Sequence, residues 1–178
     1  MIDLTLATSR YGEELKKVRI ALDCGAAPTW WFCDKDDDTQ SLTDRLAQDL
    51  KEYNPRHLYL RKELATGSRG EYFQNPWDRV IIPYADRLSG ENIEKALLFL
   101  QPDIPIRYQD AFLHSLFIGI DEYREQAGDN RRYPFIFITP QRYLKRFFEI
   151  WRGESETDFP NFQGFRGRLT DIRVLDCD

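Results

Sequence analysis

The side chains best placed to do chemistry are the carboxylates of Asp34-Lys35-Asp36-Asp37-Asp38, which directly follow the apolar run Thr29-Trp30-Trp31-Phe32-Cys33. Oxygen ligands at alternate positions, Asp34, Asp36 and Asp38, suit Mg2+. A magnesium ion at the end of a strand is what phosphoryl transfer or a nuclease requires. The run is not a calcium-binding EF-hand loop. Counted from Asp34, the sixth position is Thr39 where glycine is needed, and the twelfth is Arg45 where glutamate is needed. Acids just ahead of a helix also favour its N-terminal dipole, and this structural role is the one expected to prevail.

A second group is basic and aromatic. Between Arg131 and Arg152 stand six basic residues, among them Arg131, Arg132, Arg142 and Lys145, against the single acid Glu149. Arginines interleaved with rings can hold phosphates and stack bases. On a helical wheel, however, Tyr143, Leu144, Phe147, Phe148, Ile150 and Trp151 share one side, opposite the charges. The rings are therefore expected to face a core and leave a charged ridge in water. Phe162-Gln163-Gly164-Phe165-Arg166-Gly167-Arg168 adds a glycine-flexed loop. There Phe165, Arg166 and Arg168 suit an acidic protein partner as well as a nucleic acid.

Three smaller features are read as structural. His114 has Asp110 one turn before it and Asp121 about two turns after, a carboxylate–imidazole arrangement used in general base work. It borders a broad apolar helix face, where a histidine usually satisfies hydrogen bonds at a core's edge. Gly67-Ser68-Arg69-Gly70 lacks the lysine and following helix of a phosphate-binding loop, and reads as a turn. Cys24 has no histidine placed beside it by the sequence, and reads as a buried, inert thiol.

The elements that must position these groups follow from periodicity. Ile2 to Leu6 and Val18 to Leu22 alternate apolar and polar, which predicts strands, with a hairpin through Tyr11-Gly12. Thr29 to Cys33 is a third strand. Leu42, Leu46, Leu50 and Tyr53 then share one helical face, capped by Thr39 or Ser41 and stopped at Pro55. Strands are predicted over His57 to Leu60 and Arg79 to Pro83, and helices from Ser89 to Leu100 and from about Tyr108 to Gln126. Tyr133 to Ile138 reads as a buried strand, and Thr139-Pro140 as the start of a helix running to about Arg152. Leu169 to Leu175 closes the chain as a strand.

These elements predict one globular domain over residues 1–178. Its class is α+β, with α/β as the alternative: a mixed sheet of about six or seven strands carrying about four helices. The net charge of −5 argues against general nucleic-acid coating. No apolar run approaches the roughly 20 residues of a membrane span, and the first residues lack the pattern of a signal peptide. Three cysteines without a CxxC suggest neither a disulfide framework nor a zinc site. The expectation is a cytoplasmic protein with no membrane association.

No catalytic set stands out, so the reading leans away from an enzyme. It favours a small interaction or regulatory protein, such as an inhibitor, immunity-type protein or assembly subunit, acting on a protein partner through a charged surface. The alternatives are a nucleic-acid-binding module using the C-terminal basic and aromatic residues, and a Mg2+-dependent phosphoryl-transfer enzyme or nuclease. Only the last of these needs a cofactor.

Overall fold

A computed structural model describes residues 8–25, 29–59, 77–93, 95–101, 133–142 and 172–178. In chain order the elements are β1 (Thr8–Arg10), α1 (Tyr11–Asp23), β2 (Thr29–Asp34) and α2 (Thr39–Asp49). A short 3-10 turn (Lys51–Tyr53) leads to β3 (Pro55–Tyr59). A π-type turn (Trp77–Ile81) runs into α3 (Ile82–Gly90), followed by β4 (Leu97–Gln101), β5 (Phe135–Ile138) and β6 (Ile172–Asp176).

Among the described residues, six strands form one sheet in the order β1-β6-β2-β5-β4-β3, and every neighbouring pair is parallel. The architecture is thus of α/β type, and the expected mixed sheet is corrected to a parallel one. The reason is visible in the central strands. Phe135-Ile136-Phe137-Ile138 and Leu97-Leu98-Phe99-Leu100 are apolar at every position and buried throughout. A strand with no polar face must be covered on both sides, which is the condition under which parallel sheets occur.

Alternation sorts these side chains between two layers. Ile136 and Ile138 join Phe32, Leu97, Phe99 and Leu175 against Tyr11 and Val18 of α1 and Leu42 and Leu46 of α2. Phe135 and Phe137 point the other way, where the Trp77 ring meets both edge-on at 5.8 and 6.1 Å. Trp31 stacks on Phe137 from the same side, with centroids 5.2 Å apart. Helices α1 and α2 therefore cover one face, and the segment opening α3 covers the other. Right-handed crossovers require this: the chain moves one way across the sheet through β1, β2 and β3, then the other way through β4 and β5.

Several local expectations are overturned. Val18 to Leu22 is part of helix α1, not a strand, and no hairpin forms at Tyr11-Gly12. Five alternating residues fit a helix as well when the neighbours are included: Tyr11, Glu14 and Val18 are buried at helical spacing, while Ile20 is 65% exposed. Glu13 and Glu14 lie in the first turn, where the helix dipole favours them. Arg79 to Pro83 is likewise helical. Pro83 stands in the first turn of α3, where its missing N–H costs nothing.

The helix placed at Ser89 to Leu100 is replaced by the end of α3 and the whole of β4. Asn92 takes the left-handed conformation, with φ 57°, and the Ile93 amide donates back to the Leu88 carbonyl at 3.0 Å. Ser-Gly-Glu-Asn thus works as a helix stop. The predicted strands at Thr29, His57, Tyr133 and Leu169 are present with shifted bounds, and α2 is present but ends at Asp49, with Tyr53 in the following 3-10 turn and Pro55 opening β3. The cap of α2 is Asp38 rather than Thr39 or Ser41. The predicted strand at Ile2 to Leu6 and helix at Tyr108 to Gln126 lie outside the described residues, as does the helix after Thr139-Pro140 beyond Arg142.

Candidate functional site at the carboxyl edge of the sheet

In parallel α/β sheets, ligands bind beyond the carboxyl ends of the strands, where neighbouring strands send the chain in opposite directions. That condition is met at β2. Its next strand, β3, lies at one edge of the sheet. Its neighbour β5 is followed by β6, which sits on the opposite side of β2. The acidic run leaves the sheet at this point.

Asp34 is the last residue of β2 and is 7% exposed. Its Oδ1 accepts the backbone amides of Asp36 at 2.7 Å and Asp38 at 3.3 Å. This is the turn that a short carboxylate makes with the backbone ahead of it. The Asp37 amide donates to the Asp34 carbonyl at 3.1 Å, and Asp37 takes a left-handed φ of 59°. Aspartate tolerates that region better than most residues. Asp38 Oδ1 accepts the Ser41 amide at 3.0 Å and so caps α2. Side-chain and backbone hydrogen bonds from Ser41 hold the Asp38 carboxyl below the usual carboxylate range.

The turn is tied to the two strands beside β2. Towards β5, Asp37 Oδ1 accepts the Gln141 amide, and its Oδ2 lies 3.6 Å from Arg142 Nη1. Towards β6, the Lys35 amide donates to the Leu175 carbonyl at 3.1 Å and Lys35 Nζ pairs with Asp176 at 3.4 Å. Arg45 Nη1 donates to the Cys177 carbonyl at 2.7 Å, with its guanidinium 4.0 Å over the Tyr11 ring. Beneath the turn, fully buried Thr139 accepts the Trp31 indole N–H at 2.7 Å and lies 3.3 Å from Cys33 Sγ.

Of the residues singled out for metal binding, Asp34 builds the turn and Asp38 caps the helix, while Asp36 is exposed and its carboxylate makes no hydrogen bond among the described residues. The three are brought into one loop. Among the described residues, no three histidine, cysteine or acidic side chains are grouped so as to hold a metal ion. Arg142 is exposed and sits on Asp37, so this one arginine of the basic segment meets the acidic loop. Arg131, Arg132, Lys145, Phe165, Arg166 and Arg168 lie outside the described residues, as do His114 with its two aspartates and the Gly67–Gly70 turn.

No family model matches this sequence, and no curated protein matches it.

Sequence reasoning placed Asp37 in the acidic run but not its tie to Gln141 and Arg142, and it missed Thr139 and Gln141 as members of this edge. Thr139-Pro140 was legible as a helix start, but not the role of its hydroxyl as the indole's acceptor. Cys24 is a correction of another kind: it is exposed, past the end of α1, whereas the buried thiol is Cys33. Burial raises the Cys33 thiol to about 12. Burial, with a hydrogen bond to Asp34, raises Cys177 to about 11. Thiolate is the reacting species, so iodoacetamide on the native protein should modify Cys24 well before the other two. Peptide mass spectrometry checks this; early labelling of Cys33 would contradict the packing around Thr139.

Proposed function

We propose that the protein is an interaction module that engages a partner through the acidic turn at the carboxyl end of β2. One observation carries the reading: the carboxylates of Asp34, Asp37 and Asp38 are spent on holding the turn's shape. That leaves a preformed rim on which Asp36 is exposed, with exposed Asp178 two residues beyond the end of β6. A surface ordered before contact loses little conformational freedom on binding. Exposed carboxylates on such a rim favour a protein partner presenting lysine or arginine, in the manner of an inhibitor, an immunity-type protein or an assembly subunit. Raising salt from about 50 mM to about 0.5 M shortens the range of these attractions severalfold. A complex captured from the native host at the lower salt should therefore dissociate at the higher, while a salt-indifferent complex would count against this surface.

A second reading, Mg2+-dependent phosphoryl transfer, is favoured by the position of Asp34. It ends a central strand, β2, that sends the chain towards one edge of the sheet while its neighbour β5 sends it towards the other. On this reading Asp36 is the ligand available without dismantling the turn. Millimolar Mg2+ or Mn2+ should then raise the melting temperature of the wild-type protein, and Asp36→Asn should cancel the rise. Identical melting curves with and without the ion would remove this reading.

A further inference from the structure

We draw no further inference here: the strongest candidate, the acidic turn over residues 34–38 at the carboxyl end of β2, belongs to the site already described, and no second observation there points to a ligand.

Discussion

Replacing Phe137 with alanine lowers the free energy of unfolding by about 3–5 kcal/mol, the range found when a buried aromatic is cut back in a packed core. Phe137 is wholly buried and stands where two layers meet. Trp31 stacks on it from β2, and Trp77 meets it edge-on from the segment that opens α3. Removing the ring leaves a cavity lined by two indoles that are themselves fixed. Trp31 is held through its N–H by Thr139, and Trp77 also packs against Phe135. Such a site relaxes poorly, so the cost lies toward the upper end. A domain has roughly 5–15 kcal/mol in total, so the variant stands near its unfolding limit. Denaturant titration followed by tryptophan fluorescence measures the loss. Phe137→Leu, which keeps most of the volume, should lose markedly less. A loss below about 1 kcal/mol for the alanine variant would mean that the ring is not in a packed interior.

Asp34→Ala is the second large effect, at about 3 kcal/mol, because hydrogen bonds to a charged acceptor contribute about 1.5–3 kcal/mol each. One carboxylate oxygen organises the amides of Asp36 and Asp38, and through them the left-handed Asp37 and the cap of α2. Without it, the amide of Asp36 loses its acceptor and the loop has no reason to keep Asp37 at positive φ. Asp34→Asn retains an oxygen at the same place and should recover a good part of the loss. Equal destabilisation by both substitutions, seen in paired urea titrations, would show that charge rather than turn geometry is what Asp34 supplies.

The strands at Thr29 and Tyr133 were legible because their runs are short, rich in aromatic and β-branched residues and bounded by proline or aspartate. Those at His57 and Leu169 were legible because their apolar residues are too few for a helical face. Helix α2 was legible because Leu42, Leu46 and Leu50 keep a helical period over several turns. Where the reading failed, the pattern was short or shared. Val18 to Leu22 satisfies both periods, and Tyr11 and Glu14 decide for the helix only once tertiary packing buries them. Leu97 to Leu100 is apolar at every position, which suits a buried helix and a buried strand equally. Its pairing with β3 and β5 settles the matter from a distance.

The site divides the same way. The acidic run after β2 and its closeness to a helix start are local facts, and the sequence shows them. That Trp31 reaches Thr139, or that Asp37 reaches Gln141 and Arg142, depends on β2 and β5 lying side by side in parallel. Residues more than a hundred positions apart are brought together there, and no local pattern encodes it.

The most direct test of the acidic rim as the working surface is charge reversal at Asp36, the carboxylate in the turn that holds no part of its shape. Asp36→Lys should keep the wild-type melting temperature, since exposed substitutions of this kind shift stability within about 0.5 kcal/mol. Recovery of the co-purifying protein should nevertheless drop at least roughly tenfold, because like charges set against each other across an interface cost several kcal/mol. If the variant brings down the same partner in the same yield, the contact surface lies elsewhere on the molecule.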